Sequence, residues 1–155
     1  MSFIIHTDSC CDIALDTLKE WNVSCTQLRF KFEKEDTELT NREVDAATFY
    51  NRMREGGVAK TSAANIGDFK SDFEVFLKEG KDVLYLAFSS GLSTTYNSAR
   101  LAAEELCAEY PDRQVIVVDT LAASAGQGML VRLAVDKRDA GATIAECAAY
   151  VEENK

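Results

Sequence analysis

The stretch from Val83 to Ala99 reads Val-Leu-Tyr-Leu-Ala-Phe-Ser-Ser-Gly-Leu-Ser-Thr-Thr-Tyr-Asn-Ser-Ala, and it constrains the fold more than any other part of the chain. Val83–Phe88 is a short, unbroken apolar run bounded by Gly80 and by Ser89–Gly91, the pattern of a buried strand. The run stops at Ser89, Ser90, Ser93, Thr94 and Thr95, which surround Gly91, and a helical pattern follows. Ser93, Thr94 and Thr95 are good helix-start residues. A strand feeding such a loop and then a helix N-terminus presents backbone N–H groups and hydroxyls to one point. The helix dipole and unpaired N–H groups favour negative charge there, so a carboxylate or phosphate is the expected ligand. The same hydroxyls also serve as helix caps, and spacing alone leaves both readings open. Capping accounts for one hydroxyl but not for five.

The rest of the chain repeats the strand-then-helix alternation. Phe3–Thr7 is an expected strand ended by Asp8–Ser9, and Ile13–Trp21 an expected helix. Val23–Phe32 is expected as one extended segment, with Leu28, Phe30 and Phe32 alternating with Arg29 and Lys31. Glu33–Glu43 is expected as a charged loop. A helix capped by Asp45 and running through Arg54 carries Phe49, Tyr50 and Met53 inward and stops at Gly56–Gly57. Val58–Asn65 is an expected loop, and Asn65 caps a helix whose Ile66, Phe69, Phe73, Phe76 and Leu77 form an apolar stripe. After the central strand come a helix from Thr94 to Tyr110 and a buried strand Val115–Val118, ended by Asp119–Thr120. A helix Ala122–Asp139 follows, with Gly126 and Gly128 placed for close packing. Thr143 and Glu146 spell a capping box for a last helix. This order predicts an α/β domain with a mainly parallel sheet flanked by helices. Three of the expected strands end in polar residues: Asp8 and Ser9, then Ser89, Ser90 and Ser93, then Asp119 and Thr120. Open α/β sheets bind ligands at that edge.

At 155 residues the chain is about one domain. Its net charge of −9 and the lack of any Lys/Arg cluster exclude a nucleic-acid partner. No stretch approaches the roughly 20 apolar residues of a membrane span. Met1–Ile5 lacks a basic leader, so no signal peptide and a cytoplasmic location are expected. The five cysteines, Cys10, Cys11, Cys25, Cys107 and Cys147, match neither a zinc nor a thioredoxin spacing and are read as reduced thiols. No metal and no cofactor are expected. Serine chemistry needs a base, and the single histidine, His6, lies inside the first strand, where packing is the ordinary role. Neither a nucleophile elbow nor a phosphate-binding Gly-x-x-x-x-Gly-Lys run is present. An Asp8 phosphoryl nucleophile calls for a second aspartate where Cys10 stands. The inventory favours holding an anion over transforming it.

Four blocks carry a family resemblance. They are Ile5-His6-Thr7-Asp8-Ser9-Cys10-Cys11-Asp12, then Lys60-Thr61-Ser62 with Asp68-Phe69, then Ser89-Ser90-Gly91-Leu92-Ser93-Thr94-Thr95-Tyr96-Asn97-Ser98-Ala99, and Val117-Val118-Asp119-Thr120 with Gly126 and Gly128. Together they resemble the amino-terminal half of DegV-family proteins, the fatty-acid-binding carrier subunits of bacterial fatty-acid kinase. The third block is the most specific; it is similar to Ser-Ser-x-Leu-Ser-Gly-Thr-Tyr-x-Ser-Ala. The resemblance implies a three-layer α/β domain and a non-catalytic carrier. It implies a long-chain fatty acid in a tunnel, its carboxylate held by Thr61 and Ser93, with Ser62 beside them and the backbone of Thr94 and Thr95 helping. Asp8, Ser9, Ser89, Ser90, Asp119 and Thr120 are secondary candidates. A separate kinase subunit is the implied partner, forming an acyl phosphate. Thr94 departs from the family's glycine, where its side chain is expected to narrow the approach or strain the turn. Thr120 replaces a serine and keeps the hydroxyl. The family's second, carboxy-terminal domain, which supplies a histidine near the carboxylate, is absent from this sequence. An interaction module without lipid binding, and a small acyl or phosphoryl enzyme using Ser93, are the alternative readings.

Overall fold

The computed structural model describes residues 2–40 and 43–155. In chain order its elements are β1 (Phe3–Asp8), α1 (Leu15–Glu20), β2 (Val23–Thr26), β3 (Arg29–Phe32), β4 (Leu39–Thr40), α2 (Ala46–Arg54), β5 (Ala59–Ser62), α3 (Ile66–Lys78), β6 (Asp82–Ala87), α4 (Thr95–Glu109), β7 (Val115–Asp119), α5 (Ser124–Asp139) and α6 (Ile144–Asn154). A single 3-10 turn over Ser9–Cys11 follows β1.

Four strands form an all-parallel sheet in the order β2-β1-β6-β7. Neighbouring residues on a strand face opposite sides, and the sheet is covered on both. Ile5, Leu84, Leu86 and Val118 pack with Leu18, Val131, Val135 and Val151 from α1, α5 and α6. Ile4, Val83, Tyr85 and Ala87 pack with Phe69, Phe73, Ala102 and Leu106 from α3 and α4. The expected three layers are therefore present, and each fully buried Val, Leu, Ile or Phe among them contributes about 1.5–3 kcal/mol. β7 is an edge strand, where only Val118 is fully buried, instead of the wholly buried strand its composition predicts.

The expected Val23–Phe32 segment is two strands in two different sheets. Val23–Thr26 is largely buried and pairs in parallel with β1, whereas Arg29–Phe32 alternates in burial and pairs antiparallel with β4 and β5. The change from near-continuous burial to period-two alternation marks the transfer. The expected loops Glu33–Glu43 and Val58–Asn65 each contain a strand, β4 and β5, of this small second sheet; residues 41 and 42 lie outside the described residues. On α2 only Phe49 turns inward, with ring centroids 4.8 Å from Phe30 and 5.7 Å from Phe32. Tyr50 and Met53, expected inside, are 56% and 43% exposed, because a three-stranded sheet offers α2 too little area to cover a full helical stripe.

The caps read from the sequence are made. Asp45 accepts from the Thr48 N–H, and Asn65 with Asp68, and Thr143 with Glu146, form capping boxes. Of the two α5 glycines only Gly128 is required by packing. A Cβ there would meet the Cys11 carbonyl oxygen at 2.9 Å and Ile13 at 3.1 Å, while one on Gly126 would make ordinary contact with Ala122. Gly128→Ala is expected to destabilise the chain by about 1–2 kcal/mol, read as a lower urea midpoint, with Gly126→Ala within about 0.5 kcal/mol of the parent.

Candidate functional site

The chain leaves β1 through α1 toward β2 on one side of the sheet, and leaves β6 through α4 toward β7 on the other. The direction reverses between β1 and β6, so the loops after those strands part and open a crevice at their carboxyl ends. A cleft of about 400 Å³ lies there. Ser9, Cys10 and Asp12 from the turn after β1, Phe88, Leu92 and Ser93 from the loop after β6, and Thr61 and Ser62 from the end of β5 line it. Leu28, Arg29 and Phe30 complete the wall. Hydroxyls of three distant chain segments thus share one cleft with an apolar lining.

The hydroxyl residues divide by role. Thr61 is exposed, and Ser62 and Ser93 are half-buried. Ser93 Oγ accepts from the Thr95 N–H at 3.2 Å and pairs with Thr95 Oγ1 at 2.8 Å. Thr94 and Thr95 do not line the cleft: Thr94 is exposed and Thr95 fully buried. Thr94 has φ −76° and ψ −3°, ordinary right-handed backbone, so its departure from glycine brings no strain. The N–H groups of residues 89 to 93 have acceptors within the loop or in residues 119 and 122, and the Thr95 N–H has Ser93 Oγ, so those expected backbone donors are already engaged. An anion in the cleft would meet the side-chain hydroxyls of Thr61, Ser62 and Ser93.

Four of the secondary candidates build the loops instead of lining the cleft. Asp119 Oδ1 accepts from Ser90 N–H and Leu121 N–H, both at 3.1 Å. Ser89 Oγ accepts from Gly91 N–H at 3.2 Å. Thr120, buried, donates to the Ala87 carbonyl at 2.7 Å. Asp8 is fully buried behind the cleft, where its carboxylate accepts from Tyr85 Oη at 2.6 Å, Phe88 N–H at 2.8 Å and Cys10 N–H at 3.0 Å. Burial pushes the Asp8 carboxyl above the usual range against the pull of those hydrogen bonds. Ser9 lines the cleft, with its hydroxyl accepting from Leu28 N–H at 3.0 Å.

Neither the thiol of the cleft nor the histidine of β1 is placed as an activated nucleophile or a base there. Cys10 is pushed up to about 12 by burial and then by Asp8 and Asp12, so its thiol stays protonated near neutral pH. His6 is fully buried in β1 and does not line the cleft; its Nε2 bonds Thr26 Oγ1 at 2.8 Å. Among the described residues no group of three or more His, Cys, Asp or Glu side chains is placed to hold a metal ion, and no helix is long and apolar enough to cross a membrane.

Arg29 was not legible as a site residue. It is the only cation among the described residues lining the cleft. Its Nη1 and Nη2 donate to the two Asp68 oxygens at 2.9 and 2.8 Å. That pairing holds the Asp68 carboxyl below the usual range and raises Arg29. The sequence marked Arg29 only as the outward partner in an alternating strand.

Residues 2–155 match the family model described as uncharacterised protein, DegV family. A DegV domain-containing protein of Clostridium perfringens is 41% identical over 99% of this chain and 53% of its own length. A fatty acid-binding protein of Thermotoga maritima is 36% identical over 99% of this chain and 52% of its own. The solved structure of a fatty-acid-binding DegV family protein from Thermus thermophilus superposes with a TM-score of 0.85 at 30% identity, over 99% of this chain and 53% of that one. The chain spans about half the length of the relatives it matches.

Proposed function

This chain belongs to the DegV family, and from that premise we propose that it binds a long-chain fatty acid, with the carboxylate at Thr61 and Ser93 and Ser62 beside them. The observation that carries the reading is the cleft at the reversal of strand order. It gathers hydroxyls from β5 and from the loop after β6 against Leu28, Phe30, Phe88 and Leu92. Hydroxyls can donate to a carboxylate while the apolar lining takes the first carbons of the chain. Relatives named as fatty-acid-binding proteins support the ligand class.

The protein is proposed to act as a carrier, not a catalyst. The one thiol in the cleft stays protonated, and the cleft-lining residues include no histidine. Presentation of the bound acid in the cytoplasm to a separate kinase subunit, which would form the acyl phosphate, is the corresponding partner role. The relatives are about twice as long, and a further domain of that size is proposed to complete the tunnel over the open side of the cleft. Leu92 and Leu121, 67% and 62% exposed on neighbouring loops, provide apolar surface for it.

Mass spectrometry of the purified chain, native and then after solvent extraction, tests the reading. A stoichiometric co-purified fatty acid is the expected result. Ser93→Ala is expected to weaken palmitate binding about tenfold, the size of one lost hydrogen bond to a charged group. Unchanged binding in that variant would remove Ser93 from the site.

A further inference from the structure

We propose that Arg29 orients and selects the ionised head group of the ligand, so that the cleft takes a carboxylate in preference to a neutral chain of the same length; this rests on the fatty-acid reading above. Hydroxyls alone discriminate poorly, because a Ser or Thr donates to a carboxylate, an ester or an alcohol oxygen alike. A fixed guanidinium adds a charge: toward a carboxylate both partners are ionised and attract by charge as well as by hydrogen bonding, whereas toward an alcohol or ester only the donor is ionised. Arg29 is the sole cation among the described residues lining the cleft.

Arg29 is also held in place. In the β3–β5 ladder it faces Ser62, and its neighbour Phe30 faces Thr61, so the cation and two of the hydroxyl residues occupy adjacent rungs. The guanidinium is clamped by Asp68 through one N–H from each terminal nitrogen. Asp68 is itself fixed, because its Oδ2 accepts from Asn65 N–H at 2.9 Å in the α3 capping box. A guanidinium carries five donors, and this clamp uses two of them, leaving three for a ligand. The side chain is 36% exposed, so it is open to a ligand while pinned. Asp12 lines the same cleft, and Glu38, Asp68 and Asp72 all act on Arg29. The site is therefore not a general positive funnel; it offers an anion one directed cation.

The test compares carboxyl-labelled ¹³C-palmitate with 1-hexadecanol on the 155-residue chain, its Arg29→Gln variant and its Arg29→Lys variant, each checked for folding by circular dichroism. Arg29→Gln is expected to weaken palmitate about tenfold and to leave hexadecanol within about twofold. The ¹³C shift of the bound carboxyl is expected to titrate at higher pH in Arg29→Gln than in the parent, which a purely structural role would not produce. Equal loss for both ligands, or an unmoved titration, would overturn the inference while Ser93-dependent palmitate binding kept the fatty-acid reading intact. A parent chain that binds neither ligand would remove both. Should Arg29→Gln fail to fold, Arg29→Lys keeps the charge facing Asp68 without the planar fork. Palmitate is then expected to weaken by less than the tenfold of the neutral variant, with hexadecanol within about twofold, and equal loss of both ligands overturns the inference.

Discussion

Asp8→Ala is expected to lower the stability of the folded chain by about 3 kcal/mol at pH 7. The side chain is fully buried at the end of β1, where Tyr85 Oη, Phe88 N–H and Cys10 N–H donate to it and the Gln127 amide also acts on it. Tyr85 is fully buried as well, so truncation leaves its hydroxyl with neither the carboxylate nor water. Tyr85→Phe removes one donor and leaves the carboxylate its two backbone partners, so its expected loss is smaller, about 1 kcal/mol. Urea unfolding of both variants checks the ranking. A loss for Asp8→Ala no larger than about 0.5 kcal/mol, the range of an ordinary surface change, would contradict the account. The consequence reaches the cleft. Asp8 ties the turn after β1 to the end of β6, the two places where the sheet reverses direction, and both Cys10 and Phe88 line the cleft. Its hydrogen bonds hold the scaffold behind the site.

This division between residues that line a cleft and residues that hold its loops explains what was legible in the sequence. The strand-helix alternation, the Asn65 and Thr143 caps and the hydroxyl loop are local signals, because each depends on residues a few positions apart. The strands of the parallel sheet, the helices and the caps stand as read. The transfer of Arg29–Phe32 to a second sheet depends on pairing with β5, some thirty residues later. Nothing in the local pattern of Val58–Asn65 announces that partner. The same long-range pairing brings Thr61 and Ser62 beside Arg29, so the one cation of the cleft was out of reach of spacing arguments. Among the hydroxyls, type alone could not separate Ser93, which lines the cleft, from Thr95, which lies beneath it. Two positions along a helix start point in different directions, and only the packing of α4 on the sheet decides which is outward.

His6 should make the fold sensitive to mild acid, and the sign follows from its burial. It is wholly inaccessible, with Phe73 at 5.0 Å and Tyr85 at 5.7 Å around the ring. Thr26 Oγ1 donates to Asp72 at 2.6 Å, so it accepts from His6, which places the ring proton on Nε2. Nδ1 has no hydrogen-bond partner among the described residues, so nothing there welcomes a second proton. Burial lowers His6 to about 3. Below about pH 6.5 the unfolded chain therefore binds a proton that the folded chain refuses, and stability falls as pH falls toward 3. Between pH 7 and pH 5 this group alone removes about 2 kcal/mol. Carboxyls add their own dependences, and Asp8 and Asp68 act in opposite senses. Asp8, raised by burial, makes stability fall as pH rises from the ordinary carboxyl value to its own. Asp68, lowered by Arg29, contributes stability that is lost as pH falls below the ordinary value. The His6 share is isolated by His6→Gln, whose amide can still donate to Thr26 but does not titrate. The stability of the parent minus that of the variant is expected to shrink by about 2 kcal/mol from pH 7 to pH 5, measured by urea unfolding at each pH. Parallel curves across that interval would mean that the folded chain accepts a proton at His6 as readily as the unfolded chain does.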